Sequence, residues 1–392
     1  MIDREPPYPH KPPLSTPAKL ARLAGIGLIV LVAAGAFAYV NGSLDPQRLT
    51  PARVVDVFEH NNGVHPGYRR NHPKGICVAG DFESNGAAAS LSRAEVFASG
   101  RTPVIGRLAL PTGNPYSPDS AAPLRSFALQ FTQPNGQQWR TGMNSMPVFP
   151  VGTPQAFVDL QIATAPDPKT GKPDPAKPPA FFAAHPEAQP FLAWVKTAKP
   201  SASFVTETYN SVNAFILVDS SGKRQPVRWS LVPHATGASP APDAKDYLDK
   251  DLTEKLAAGP QRWDLILTLA NAGDPINDAS KAWSGEHKTV NAGTLAINGD
   301  TAQLDGDCRD INFDPLILPS GIEGSDDPLL AARSAAYAAS YIVEAANARR
   351  SYQVEPVKAD QLGEQQKIAD AFFKAGLLPA PVDAKDVDIW TP

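Results

Sequence analysis

Cysteine is nearly absent from this chain: Cys77 and Cys308 are the only two in 392 residues. They fit neither a CxxC motif nor a zinc-ligand spacing, which removes cysteine-held zinc from consideration. They could pair in an oxidising compartment, but no feature of the sequence brings them together, and the expectation is two free or buried thiols. An excess of positive charge is also missing. Lys and Arg number 36 against 40 Asp and Glu, giving a net charge of −4 and a pI near 6.0, so no basic surface broad enough for nucleic acid is implied. Internal repeats are absent. The remainder, 42% hydrophobic and 19% charged, is globular in composition and long enough for a large core in one to three domains.

Proline is abundant, at 41 residues, which favours ordered loops over helical bundles. The one long apolar run is Leu23–Val40, LAGIGLIVLVAAGAFAYV. Its length is at the lower end of what spans a bilayer. Arg4, Lys11, Lys19 and Arg22 precede it, whereas NGSLDP after it carries only Asp45. The positive-inside rule then keeps residues 1–22 in the cytoplasm as a leader, anchors 23–40 in the lipid bilayer and sends the domain from 44 to 392 outward. Cleavage of a secretory signal after Ala36-Phe37-Ala38 is the alternative; the run exceeds an ordinary signal core of about 7–15 residues, which favours the anchor.

Residues 44–60 read as a helix opening the domain, and ICVAGDF, ending at Phe82, as a strand after a turn. Leu91–Phe97 is expected to be helical. Strands are expected over 103–110, 126–131 and 137–141, divided by Gly, Pro and Asn turns. PDPKTGKPDPAKPPA, 166–180, reads as a loop and 186–199 as a helix. VNAFILVD and PVRWSLV flank the turn SSGK, a strong hairpin signal. A helix over 246–258, a strand over 261–269 and a weakly amphipathic tail over 361–378 follow. Central strands with flanking helices predict an antiparallel α+β domain.

The stretch DDPLLAARSAAYAASY, 326–341, has the form of a helix: an Asp cap, Pro328 in the first turn, then Leu and Ala. Arg333 and Tyr337, four residues apart, share a face. A guanidinium beside a phenol favours the phenolate, a hard anionic ligand; the ordinary alternative is a stacked surface pair. In RRNHPKG, 69–75, His72 precedes a strand and is a candidate base, though a lone His is more often a plain loop or core residue. In TGMNSMPVF, 141–149, Asn144 is a candidate amide donor or a turn-former.

The order of these motifs is specific. Arg-x-x-His-x-Lys-Gly is followed by Phe82-Glu83, a strand with Arg107, Asn144-x-x-Pro147-x-Phe149, PINDASKAW, and FDPLILPSGIEGSDDPLLAARSAAY. Together they resemble the haem catalases, and more closely the shorter catalase-related peroxidases, over roughly residues 55–345, a match of domain scale. The resemblance implies a catalase-like antiparallel β-barrel with surrounding helices, preceded here by the one transmembrane helix read from the apolar run. It implies Tyr337 as the axial ligand of haem iron with Arg333 beside it, His72 as distal base and Asn144 as distal donor. Phe157, thirteen residues past Asn144, matches the ring that packs on the haem, and Arg69 and Arg107 match propionate-binding arginines. The haem is expected to be of b type, since no CxxCH motif occurs.

The chain departs from full catalases at several positions. Ala109 stands where they carry a serine that hydrogen-bonds the distal histidine, and Glu344 where they carry a further propionate arginine; Arg349 or Arg350 would have to replace it. The short ends remove the interlocking arm and the nucleotide-binding domain, so no bound NADPH and a monomer or dimer are expected. A more open haem edge implies a peroxidase that reduces hydrogen peroxide or organic hydroperoxides with an external organic donor and has weak or no catalase activity. The alternatives are a true catalase, a hydroperoxide isomerase and a non-catalytic haem-binding protein.

Overall fold

The computed structural model describes residues 15–40, 48–167, 169–237 and 242–351, without the side chains of residue 38 and of 342–351. The leader through residue 14, the 361–378 tail and the side chains of Glu344, Arg349 and Arg350 therefore lie outside the described residues. The chain divides into two units, 1–50 and 51–392.

In the first unit, helix α1 runs Thr16–Val40. It begins upstream of the apolar run, so Lys19 and Arg22 stand in its N-terminal turns. An 18-residue window within Thr16–Phe37 has a mean hydropathy of 2.2, and none of it is buried. The 25 residues of α1 extend about 37 Å at helical rise, enough to cross a hydrocarbon core of about 30 Å.

The second unit is built on strands β1 (Gly75–Ser84), β2 (Gly100–Ala109), β3 (Ser126–Thr132), β4 (Gln138–Asn144), β5 (Tyr209–Asn210), β6 (Phe215–Val218), β7 (Arg224–Pro233), β8 (Gln261–Leu269), β9 (Thr289–Ala302) and β10 (Ile322–Gly324). β1, β2, β3, β4, β5, β7, β8 and β9 pair antiparallel in that order, and β9 returns to β1. The ring closes as an eight-stranded barrel without free edges. β6 and β10 extend outward from β7.

Alternation along the strands explains the closure. In β8, Trp263, Leu265, Leu267 and Leu269 are buried every second residue; in β4, Trp139, Thr141 and Met143 are. They meet Phe127, Phe131, Trp229 and Leu295 inside the barrel. Trp139 stacks on Phe131 at 4.6 Å between ring centroids and meets Trp229 edge-on at 5.0 Å. Full burial of one large apolar side chain contributes roughly 1.5–3 kcal/mol, so this aromatic core is the main source of the barrel's stability.

The opposite set of residues faces outward. Cross-strand register aligns Arg107 with Ala128 and Ala128 with Gly142; the neighbouring row aligns Ala109 with Ser126 and Ser126 with Asn144. Small residues dominate these rows and leave a shallow wall. Helices α2 (Pro51–Asn62), α3 (Pro154–Ala163), α4 (Lys177–Ala184), α5 (Gln189–Val195), α6 (Leu248–Ala258) and α7 (Pro328–Ser351) surround the barrel. Thr153 caps α3, its Oγ1 accepting from the Ala156 N–H at 3.2 Å. Asp327 caps α7, its Oδ1 accepting from the Leu329 N–H at 2.9 Å.

Three expectations are corrected. Leu91–Phe97 forms only a single 3-10 turn, Glu95–Phe97, because Ser92 caps a bend there instead of entering a helix. The 166–180 loop is shorter than expected, since α4 starts at Lys177 with prolines in its first turn. Cys77 and Cys308 are disulfide-bonded, with Cα atoms 5.4 Å apart. The cause is β9: it pairs Thr301 opposite Cys77, and the turn after it brings Cys308 back to β1. That strand went unread because TVNAGTLAINGDTA carries turn residues.

Candidate active site

Between the outer barrel wall and the helices lies a cavity of about 480 Å³. All seven residues singled out from the sequence line it: Arg69, His72, Arg107, Asn144, Phe157, Arg333 and Tyr337. The two outward rows of β2–β4 supply Arg107, Ala109, Ser126, Ala128, Gly142 and Asn144. α7 supplies Arg333 and Tyr337, one turn apart on one face as expected. α2 and α3 contribute Phe58 and Phe157, whose ring centroids are 6.1 Å apart; Phe149 adds a third ring 5.5 Å from Phe157.

Arg333 is held from two sides. Its Nη1 donates to Asn213 Oδ1 at 2.6 Å and its Nη2 to the Gly142 carbonyl at 3.1 Å. Asn213 in turn donates to Asp327 Oδ2 at 2.9 Å, so the carboxylate that caps α7 also fixes the amide that orients Arg333. Sequence reasoning missed Asn213 and Gly142. Gly142 gives Arg333 its room: a Cβ there would lie 3.2 Å from Arg333 Nη2, which would have to give by a few tenths of an ångström, and 3.6 Å from the Tyr337 hydroxyl. The place of Gly142 on the outward phase of β4, between Arg140 and Asn144, was the available signal.

Asn144 is fixed by its neighbour in the same row. The Ser126 hydroxyl donates to Asn144 Oδ1 at 2.5 Å, which leaves the NH₂ end as the amide's donor group. His72 adopts a left-handed backbone, φ 56°, with its N–H bonded to the Thr112 carbonyl at 3.1 Å and Asn71 Oδ1 at 3.0 Å. Val212, at φ 55°, is the other non-glycine residue in that region among the described residues, and it too lines the cavity. Such strain is ordinarily retained at functional sites. Burial, followed by the charges of Arg107, Arg333 and Arg69, lowers the His72 pKa to about 3, so the imidazole is neutral at physiological pH. Its buried Nδ1 has no hydrogen-bond partner among the described residues, and Ala109 in the same cavity offers no hydroxyl.

Arg107 donates through Nε to Gln303 Oε1 at 3.0 Å and through Nη2 to the Pro73 carbonyl at 3.2 Å. Arg69 donates to the carbonyls of Cys308, Arg309 and Ile311 and lies 5.6 Å from the Phe313 ring centroid. Among the described residues, four arginines, Arg70 included, and no carboxylate line the cavity.

Comparison with known proteins agrees with this architecture. The catalase family model matches residues 41–357. The chain is 36% identical to a catalase-related peroxidase of Synechococcus elongatus over 75% of this chain and 88% of that protein. It is 31% identical to a catalase-related peroxidase of Mycolicibacterium paratuberculosis over 74% and 94%. A catalase of Pseudomonas aeruginosa is 29% identical over 68% of this chain but only 55% of its own length. A crystal structure of a fungal catalase superimposes with a TM-score of 0.64 at 21% identity, over 76% of this chain and 64% of that one, which establishes the shared fold. With the family model covering most of its length and the catalase-related peroxidases matched nearly end to end, this chain belongs to the catalase family.

Proposed function

We propose that this chain is a haem-dependent peroxidase that reduces hydrogen peroxide or organic hydroperoxides with an external organic electron donor and has weak or no catalase activity. The residues of the cavity suit such a cofactor. A haem is a flat apolar ring with two carboxylates; the cavity has aromatic walls, a sheet face kept shallow by Ala128 and Gly142 and, among the described residues, four arginines and no carboxylate. Tyr337 would hold the haem iron through its ring oxygen, with Arg333 beside it on α7; Phe157 would pack on the ring, and Arg69 and Arg107 would balance the propionates. A bound haem iron supplies the redox chemistry of O–O cleavage.

The protein supplies proton handling and position. A neutral imidazole at His72 accepts the proton of an incoming hydroperoxide and returns it to the departing oxygen. The pinned amide of Asn144 donates a hydrogen bond to the peroxide and stabilises charge on its outer oxygen. The observation that carries the reading is this neutral base and oriented donor in one cavity with the Arg333–Tyr337 pair. A mere haem carrier has no use for the first two groups. His72→Ala should keep the haem absorbance and lose peroxide turnover by about 10²-fold or more; equal turnover in both proteins favours the carrier. Rapid oxygen evolution without oxidation of any phenolic donor favours a true catalase.

The domain lies outside the cytoplasm in this reading, anchored by α1. The Lys19 and Arg22 flank and the Cys77–Cys308 bridge both support it, since structural disulfides persist in oxidising compartments. Recovery of the chain in the membrane fraction, with the domain accessible to protease only from the outer side, is the expected result.

A further inference from the structure

The geometry points to a positioning role for the Cys77–Cys308 bridge: it holds in place Arg69 and Arg107, the two arginines assigned above to the haem propionates. This inference rests on the haem reading and adds to it a requirement for the disulfide.

Both arginines are held by one short segment. Gln303, just beyond β9, accepts from Arg107 Nε at 3.0 Å and donates to the Pro73 carbonyl at 2.9 Å. Five residues on, the carbonyls of Cys308, Arg309 and Ile311 accept from Arg69 Nη2 at 3.1, 3.1 and 2.6 Å. Phe313 packs under the Arg69 guanidinium. Hydrogen bonds within 302–311 close this segment on itself: Gly306 N–H to the Ala302 carbonyl, Arg309 N–H to the Gly306 carbonyl. Such bonds shape the loop but do not fix it to the barrel.

The bridge does fix it. Cys77 is the direct cross-strand partner of Arg107 in the β1–β2 register. The disulfide therefore joins the row that carries Arg107 to the carbonyls that hold Arg69. The joint is close-packed. Cys308 is wholly buried, and Cys77, Cys308 and Phe313 form one apolar cluster against Ile311 and Tyr337. A Cβ on Gly306 would lie 2.6 Å from the Cys77 Cβ, so the turn accepts no larger residue. At the far end, Arg140 holds the Asn312 carbonyl; between Gln303 and Asn312 the bridge is the covalent tie to β1. Without it, the three carbonyls that aim Arg69 and the amide that aims Arg107 are free to shift together. Cys77 and Cys308 are thus positioning residues, acting on the haem through the guanidinium groups of Arg69, which the Cys308 carbonyl itself accepts from, and of Arg107.

The test uses the full chain in detergent, loaded with haemin, with haem loss followed by transfer to apomyoglobin. Cys77→Ser with Cys308→Ser should speed haem loss about tenfold. The same pair of changes in an Arg69→Leu/Arg107→Leu background should add less than about threefold, because the groups being positioned are gone. In the apoprotein, amide exchange across 303–313 should quicken on loss of the bridge. A bridge that only stabilises the fold gives the same factor in both backgrounds, and that result, or unchanged haem loss, overturns the inference. If the serine variant fails to fold, the bridge is opened in the wild type and the arginine-free protein with dithiothreitol. That reagent delivers two electrons and two protons to the disulfide and closes its own, and the same two ratios decide. Wild-type protein that takes up no haemin sinks the haem reading itself, a failure distinct from equal ratios.

Discussion

Replacing His72 with Phe in the apoprotein should flatten the acid end of its stability profile. The imidazole titrates at about 3 in the fold against an ordinary value of 6.5. Between those values the unfolded chain binds a proton that the folded chain refuses. Stability contributed by this site is therefore intact above pH 6.5 and falls progressively as the pH drops toward 3. At pH 5 the proton taken up by the unfolded chain is worth about 2 kcal/mol. For a domain of this size that is a fall in Tm of about 3 °C. The assay is thermal melting by circular dichroism at pH 8 and pH 5 for wild type and His72→Phe, comparing the two differences so that all other titrating groups cancel. Wild type should lose about 3 °C more than the variant. Parallel profiles would falsify the claim that burial and three guanidinium charges hold this imidazole neutral.

Three further results are expected. Asn213→Leu removes the acceptor of Arg333 and the donor to Asp327, and should cost roughly 1.5–3 kcal/mol in urea denaturation; a loss under 0.5 kcal/mol contradicts the network. Gly142→Val puts a branched side chain against Arg333 and Tyr337 and should abolish haemin uptake while the apoprotein still melts cooperatively. Ser126→Ala unpins the Asn144 amide and should lower peroxide turnover several-fold with haemin affinity unchanged; a parallel fall in affinity would mean that Ser126 serves the cavity's shape instead.

Much of the site was legible because its residues sit in local motifs. Arg333 and Tyr337 are one helical turn apart, and His72 and Asn144 lie in short runs whose order is itself informative. Gln261–Leu269 was read to the residue because its alternation is regular. β9 was lost because its Gly, Asn and Asp residues imitate turns, although the barrel closes through it. The disulfide and the Asn213–Asp327 support were hidden for a different reason. Cys77 and Cys308 are 231 residues apart, and Asn213 and Asp327 are 114 apart. Sequence spacing carries no information on such contacts; only strand register brings them together. Gly142 was illegible as a functional position because what it contributes is the absence of a side chain.

The most direct test of the account is the absorption spectrum of the haemin-loaded protein with and without the Tyr337 hydroxyl. The wild type should give a high-spin ferric spectrum of the phenolate type, and Tyr337→Phe should lose it, through either weaker haemin binding or a changed axial ligand. A Tyr337→Phe protein with an unchanged spectrum and unchanged peroxide turnover contradicts the account.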